Sequence, residues 1–121
     1  MATRLSNINL FVADVDRSAR FYAAAFGLRR DDERSAPPGF AYLDGGTISL
    51  TLQSADAPGA ILGQAESVEI GFEADDLAGL RLALERQGVA VSATQEMGWG
   101  SGFDARDPDG TRLTVFRKNP T

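Results

Sequence analysis

The sequence contains no cysteine and no histidine among its 121 residues. Without cysteine, disulfides, thiolate metal sites and a cysteine nucleophile are excluded. Without histidine, the chain lacks the commonest transition-metal ligand and the usual general base near neutral pH. Serine hydrolysis is excluded as well, because no histidine is available to activate a serine and no G-x-S-x-G motif is present.

Basic residues are in the minority, since 12 lysines and arginines stand against 17 aspartates and glutamates, for a net charge of −5. An acidic chain with no basic cluster interleaved with aromatic residues is not expected to bind nucleic acid. Long apolar runs are missing too, and none approaches the roughly 20 residues that span a bilayer. The N-terminus lacks the apolar segment and cleavage site of a signal peptide. We therefore expect a cytoplasmic protein with neither a nucleic-acid nor a membrane partner.

One pattern occurs twice along the chain. Each copy begins with a strand of alternating apolar and polar residues, continues into a helix with an apolar stripe, and ends in three further strands. The aspartates that can cap the two helices and the glycines that can end them are Asp14 or Asp16 with Gly27, and Asp75 or Asp76 with Gly88. Two copies indicate a duplication, because a solenoid needs three or more repeats to bury its core.

The later strands are expected near Arg29–Arg34, Phe40–Leu43 and Thr47–Gln53, and near Val89–Gln95, Gly102–Arg106 and Thr111–Arg117. Glycine-containing turns at Asp44–Gly46 and in the DPDG segment separate the paired strands. An Ala/Gly/Pro-rich segment, residues 55–66, is expected to link the two copies. The prediction is one domain, residues 1–121, built from βαβββ modules at 5–54 and 67–118.

Period-two alternation places a second set of side chains on the strand faces opposite the core. Its members are Asn7, Asn9, Phe11, Thr47, Ser49, Thr51, Glu69, Gly71, Glu73, Arg112, Thr114 and Phe116. Glu69 and Glu73 share a face and allow three interpretations: an acidic floor for a cationic ligand, a carboxylate base, or an ion pair with Arg112 or Arg106. Two amides on such a face would be costly to bury unpaired, so Asn7 is expected, with its neighbour Asn9, to meet water or a ligand.

The segment EMGWGSGF is glycine-rich around the single tryptophan, Trp99. This composition is typical of a mobile flap that carries an aromatic contact, and Phe103 and Phe116 would extend the aromatic wall. The alternative is that Trp99 packs beneath the loop or at a dimer interface.

The segments NINLFVADVDRSARFYAAAFGL, VEIGFEADDLAGLRLALERQGV and GWGSGFDARDPDGTRLTVF resemble the vicinal oxygen chelate superfamily. This group comprises glyoxalases, bleomycin resistance proteins and extradiol dioxygenases, and the resemblance covers Leu5 to Arg117. It implies an α+β fold in which two βαβββ modules form a curved mixed sheet around a cleft, with the helices on the outer face. It also implies a homodimer, with the cleft formed within one chain or between swapped chains.

Metal-using members of that group hold a divalent ion through His, Gln or Glu at four strand positions. By resemblance these positions correspond to Asn7, Ser49, Glu69 and Thr114, of which only Glu69 has a ligand-type side chain. One carboxylate with neutral amide and hydroxyl oxygens is a poor donor set for Zn²⁺, Fe²⁺, Mn²⁺ or Mg²⁺. We therefore expect no metal and no other cofactor.

The resulting hypothesis is a metal-free protein that sequesters a planar or cationic small molecule, and the resistance branch suggests a role in antibiotic resistance. The expected ligand contacts are Asn7, Asn9, Phe11, Ser49, Glu69, Glu73, Trp99, Phe103, Arg112, Thr114 and Phe116. The alternative is a divalent-metal-dependent lyase, isomerase or dioxygenase, in which Glu69 would serve as acid/base or metal ligand. A third hypothesis is a regulatory or structural dimer that has no ligand.

Overall fold

The computed structural model describes residues 2, 4–56 and 68–120 of the chain. Internal contacts divide the chain into two compact units, residues 1–62 and 63–121. The first unit contains β1 (Asn7–Val12), α1 (Val15–Phe26), β2 (Arg29–Arg30), β3 (Phe40–Asp44) and β4 (Ser49–Ser54). The second contains β5 (Glu69–Glu73), α2 (Leu77–Arg86), β6 (Gln95–Met97), β7 (Gly100–Arg106) and β8 (Arg112–Lys118). The predicted α+β fold of two βαβββ modules is confirmed.

Each unit has one four-stranded mixed sheet, with the orders β1-β4-β3-β2 and β5-β8-β7-β6. The first strand of each unit runs parallel to the last, and the remaining pairs are antiparallel. The last strand is therefore central in its sheet, and its apolar residues are buried: Leu50 and Leu52 in β4, Leu113 and Val115 in β8. Of the predicted linker, residues 55–66, only Ala55 and Asp56 are among the described residues. In the described part of the chain, no helix is long and apolar enough to cross a membrane.

The helix ends follow the capping chemistry of the sequence. Of the candidate aspartates, Asp14 caps α1 by accepting the N–H of the residue three positions on at 3.0 Å, and Asp76 caps α2 in the same way at 2.9 Å. Gly27 directly after α1 has φ 71°, and Gly88 after α2 has φ 78°, a left-handed conformation that glycine adopts without strain. Each helix is thus preceded by a capping aspartate and followed by a glycine with positive φ.

The two helices pack on their sheets unequally. The buried residues of α1 are Val15, Ser18, Ala19, Phe21, Tyr22 and Ala25, whereas α2, which is described throughout, buries only Leu84. Arg81 supplements the apolar packing of α2, because its guanidinium lies 4.7 Å from the centroid of the Phe103 ring. The same group donates to the carbonyl of Ser92 and the hydroxyl of Thr94, both at 2.8 Å. A cation–π contact and two hydrogen bonds therefore hold the chain after α2.

The strand predicted at Val89–Gln95 is wrong, since β6 covers Gln95–Met97. The chain does run beside β7 at Ser92, whose N–H donates to the carbonyl of Asp104 at 3.0 Å. The return bond, however, goes from the Asp104 N–H to the Ser92 hydroxyl at 2.8 Å. A hydroxyl that replaces a backbone carbonyl interrupts the ladder, as side chains of this type do when they compete with secondary structure.

The first unit contains the same interruption. The predicted strand at Arg29–Arg34 is shortened to Arg29–Arg30 in β2. The Tyr42 N–H donates to the hydroxyl of Ser35 at 2.9 Å, and that hydroxyl donates to the carbonyl of Asp31 at 2.7 Å. In each unit, a serine outside the short edge strand thus places its hydroxyl where a ladder carbonyl would accept.

Candidate functional site

The open face of the first sheet, opposite α1, carries a ladder of polar side chains between β1 and β4. The Ser49 hydroxyl donates to Oδ1 of Asn7 at 2.6 Å, and Nδ2 of Asn7 donates to Oγ1 of Thr51 at 3.2 Å. The Thr51 hydroxyl donates to Oδ1 of Asn9 at 2.7 Å, and Nδ2 of Asn9 donates to Oε1 of Gln53 at 3.3 Å. We call these five side chains the polar ladder.

Thr51 is the centre of the polar ladder, because its hydroxyl links the two asparagines and is only 4% exposed. Asn7 and Asn9 remain exposed, and each amide has a second N–H that the ladder does not use. The predicted contact of these amides with water or ligand remains a prediction, but their first partners are the neighbouring side chains of β4. Phe11 lies on the same face, half-buried beside Gln53.

Charged side chains on the open face of the second sheet form two ion pairs. Oε2 of Glu69 lies 3.3 Å from Nη2 of Arg112, and Oε1 of Glu73 lies 3.7 Å from Nζ of Lys118. The structure thus has the ion pair with Arg112 that the sequence offered as one interpretation of Glu69. Arg106, the other candidate partner, donates to the carbonyl of Gly110 at 2.7 Å. Because each carboxylate has a cation beside it, this face is not a one-sign acidic floor.

The same face carries an aromatic pair beyond Thr114. The rings of Trp99 and Phe116 meet edge to face, with centroids 5.6 Å apart and an interplanar angle of 78°. Trp99 is 52% exposed and Phe116 is half-buried. We call these two rings the aromatic corner, because their planes are nearly perpendicular and one of them is open to solvent.

Two glycines, Gly71 and Gly102, lie against the Phe116 side of the aromatic corner. A Cβ atom placed on Gly71 would lie 3.3 Å from Cε1 of Phe116 and 3.5 Å from Cγ2 of Thr114. A Cβ on Gly102 would lie 3.2 Å from Cβ of Phe116 and 3.3 Å from Cε of Met97. The Phe116 ring therefore lies close to the backbone at Gly71. Its cross-strand partners are Gly102 in β7 and Glu73 in β5.

Phe103 does not join this face. It pairs with Val115 across β7 and β8, so both side chains point to the side of the sheet that carries α2. Its ring is 2% exposed and lies beneath the Arg81 guanidinium. The expected aromatic wall of three rings is therefore corrected to Trp99 and Phe116. The register was available from the sequence, because the tight DPDG turn pairs Arg106 with Arg112 and hence Phe103 with Val115.

Sequence reasoning also missed Asn119. Its backbone N–H donates to the carbonyl of Trp99 at 2.8 Å, and its Nδ2 donates to the carbonyl of Gly98 at 3.1 Å. It follows the last strand, where no periodic pattern marks it. The one available signal was register, since Gly100 pairs with Lys118 and the next residue faces the hairpin turn.

Four positions correspond, by the resemblance given above, to the metal ligands of the superfamily. Their side chains already have partners or are poor metal donors. Asn7 and Ser49 are cross-strand neighbours hydrogen-bonded to each other at 2.6 Å. Glu69 is paired with Arg112, and the Thr114 hydroxyl lies 3.5 Å from the carbonyl of Phe103. In residues 2, 4–56 and 68–120, no three aspartates or glutamates converge on a common point. This donor set does not fit a divalent transition metal, which prefers several anionic or imidazole ligands.

Comparison with known families gives one match that spans nearly the whole chain. The sequence model of the Glyoxalase/Bleomycin resistance protein/Dioxygenase superfamily matches residues 4–115. No curated protein sequence matches the chain.

Solved structures of the same architecture are numerous. A glyoxylase/bleomycin resistance protein/dioxygenase domain from Frankia sp. EAN1pec is 24% identical, with a TM-score of 0.80 over 98% of this chain and 100% of that one. Lactoylglutathione lyase from Agrobacterium tumefaciens is 21% identical, with a TM-score of 0.74 over 96% and 94%. The fosfomycin resistance protein FosX from Mesorhizobium loti is 18% identical, with a TM-score of 0.78 over 98% and 95%. At these identities the structures show a common fold.

Proposed function

The chain belongs to the Glyoxalase/Bleomycin resistance protein/Dioxygenase superfamily, and we propose that it is a member that binds a small planar molecule stoichiometrically and without a metal ion. The observation that carries the proposal is the aromatic corner, in which a 52% exposed Trp99 stands edge to face on Phe116. An exposed ring that is held against a second ring offers a flat apolar surface on which a planar ligand can stack.

The chemistry of this face favours a planar ligand over a simple cation. A flat ring can stack on Trp99 while its edge meets Phe116, an arrangement that aromatic rings prefer. Protein atoms already occupy the space above Gly71 and Gly102, so the exposed side of Trp99 is the surface on which such a ring would stack. Ion pairs neutralise Glu69 and Glu73, so attraction of a positive charge contributes less than ring stacking. Polar substituents of the ligand would find donors and acceptors at the charged end of the sheet.

We propose that no metal ion is bound because the side chains at the four ligand positions are weak metal donors. Three of the four family positions offer a neutral oxygen, and the fourth, Glu69, has Arg112 beside it at 3.3 Å. A metal there would have to displace that guanidinium and would gain a single negative ligand. The proposal therefore assigns recognition to this surface and does not assign the metal-dependent chemistry of the alternative hypothesis.

The binding test uses the single tryptophan as the reporter. Acridine, quinoline and naphthoate, each beside its saturated-ring counterpart, are titrated against the protein while Trp99 emission is recorded, with thermal unfolding as a second readout. We expect the aromatic compounds, and not their saturated counterparts, to change the Trp99 emission and to raise the melting temperature of the protein. Phe116→Ala should weaken binding by about tenfold or more, since the lost ring contact is worth roughly 1.5–3 kcal/mol. Leu82→Ala, at an exposed leucine of α2, is the control and should bind normally.

Two results would contradict the proposal. Equal binding of planar and saturated compounds would remove the stacking argument, and so would normal binding by Phe116→Ala. The metal-free half is tested by elemental analysis of protein purified without chelator. We expect far less than one equivalent of metal, unchanged by Glu69→Ala; near-stoichiometric metal that is lost in this variant would favour the lyase, isomerase or dioxygenase hypothesis.

We propose further that the protein acts as a cytoplasmic homodimer and that sequestration gives resistance to a planar antibiotic, a role suggested by the superfamily and by the fosfomycin resistance protein among its structural neighbours. Sedimentation measures the assembly, with twice the 12.9 kDa chain mass expected. Growth of expressing cells on planar antibiotics measures the role. Phe116→Ala should remove any protection, and protection that survives this change would point to another mechanism.

A further inference from the structure

The hairpin that carries Trp99 has little packing of its own. Met97 pairs with Gly100, so Gly98 and Trp99 are the two turn residues between β6 and β7. The residues before the turn, Gln95 and Glu96, are exposed, and Gly98 has no neighbouring atom within 4 Å of the place where a Cβ would be. A short exposed turn with a half-exposed ring would be expected to sample many conformations. The Trp99 ring contacts Phe116, and a contact to the backbone of the turn would restrict it further.

Asn119 supplies that contact with two hydrogen bonds to the turn. The backbone N–H reaches the carbonyl of Trp99 at 2.8 Å, and the side-chain Nδ2 reaches the carbonyl of Gly98 at 3.1 Å. Both carbonyls of the two-residue turn thus accept a hydrogen bond from one residue. Since one bond uses the backbone, any residue but proline can form it, whereas the other requires a side-chain donor of this length.

The close approach of two backbones brings Asn119 to the turn. A methyl group at Gly100 would overlap the carbonyl oxygen of Arg117 and lie 3.0 Å from Cα of Lys118. The end of β8 therefore runs against bare backbone in β7, and the next residue arrives beside the turn. The side chain of Asn119 is oriented by the course of the main chain and not by packing, because it is exposed.

We propose that Asn119 is a positioning residue that fixes the Trp99 turn, so that the aromatic corner is formed before a ligand arrives. The effect of this on ligand affinity rests on the proposed function. The positioning itself does not, because it concerns the ligand-free protein. Preorganisation of this kind raises affinity by removing the cost of ordering the contact on binding.

The experiment compares wild type with Asn119→Asp and with a neighbouring control, Pro120→Ala. The aspartate keeps the size and the backbone N–H of residue 119, removes the Nδ2 donor, and sets a carboxylate against the carbonyl of Gly98. Acrylamide quenching of the single tryptophan and hydrogen exchange of the residue 119 amide are measured without ligand. Because one net hydrogen bond is lost, we expect protection of this amide, corrected for its intrinsic rate, to fall about fivefold, with a larger quenching constant.

Pro120→Ala should leave both readouts at their wild-type values. Quenching and exchange in Asn119→Asp that match wild type would overturn the proposal, and so would equal changes in the proline variant. Acridine titration then separates the two hypotheses. If acridine binds wild type, Asn119→Asp should bind it about fivefold more weakly, and unchanged affinity would refute preorganisation. If acridine binds none of the proteins, the proposed function fails, while quenching and exchange still decide the role of Asn119.

Discussion

Replacing Gly100 with alanine should destabilise the protein by about 1–3 kcal/mol, the usual cost of forcing an extra methyl group into closely packed structure. The added carbon would overlap the Arg117 carbonyl, and a backbone atom on a central strand cannot move aside as a flexible side chain does. Gly98, two residues earlier in the same hairpin, has nothing within 4 Å of its own Cβ position. Alanine there should be neutral or should stabilise by up to about 1 kcal/mol, because it restricts the unfolded chain.

Thermal unfolding followed by circular dichroism measures the difference. For a chain of this length, 1 kcal/mol corresponds to a shift of about 4 °C in Tm, so Gly100→Ala should melt roughly 4–12 °C below wild type. The Tm of Gly102→Ala should lie between those of the other two variants, since the added Cβ would be 2.7 Å from the carbonyl oxygen of Val115. A Gly100→Ala protein as stable as wild type would refute the close approach of β7 and β8, and equal losses at Gly98 and Gly100 would refute the packing argument.

Three further outcomes are expected from denaturant unfolding. Thr51→Val removes the buried hydroxyl at the centre of the polar ladder and should cost about 1–2 kcal/mol, whereas Thr47→Val, at an exposed position, should stay within roughly 0.5 kcal/mol of wild type. Asp76→Ala should cost about 1 kcal/mol through the lost helix cap, and Asp75→Ala should not; equal effects would mean that the cap is misassigned. Arg81→Ala should lower the free energy of unfolding by roughly 1–2 kcal/mol through its lost hydrogen bonds and ring contact. Unchanged stability would show that these contacts do not stabilise the packing of α2.

The parts of the fold that could be predicted were those set by local chemistry. Apolar residues alternate with polar ones in the first and last strands of each module. This pattern identified the core-facing set, which includes Leu50 and Val115, and assigned Thr114 to the opposite face. The aspartates and glycines at the helix ends have a conformational preference that does not depend on the rest of the chain. The duplication followed because these local signals recur in the same order.

The parts that could not be predicted depend on one side chain replacing a backbone group. Nothing in the sequence near Ser92 shows that its hydroxyl, rather than its carbonyl, accepts the bond from β7, so the strand was placed too early. Asn119 belongs to the same category, because its partners lie about twenty residues away and only the register of β7 with β8 brings them together. Phe103 differs from both, since turn length alone determined its face.

The polar ladder has a consequence for how this chain could ever acquire a chelating centre. Histidine at position 7 would bring an imidazole, but it would also break the hydrogen bonds that the asparagine exchanges with Ser49 and Thr51. A second replacement at position 49 would remove another bond of the same set. We therefore expect each single replacement at these two positions to lower stability. The hydrogen bonds of the polar ladder would thus oppose the replacement of these residues by metal ligands.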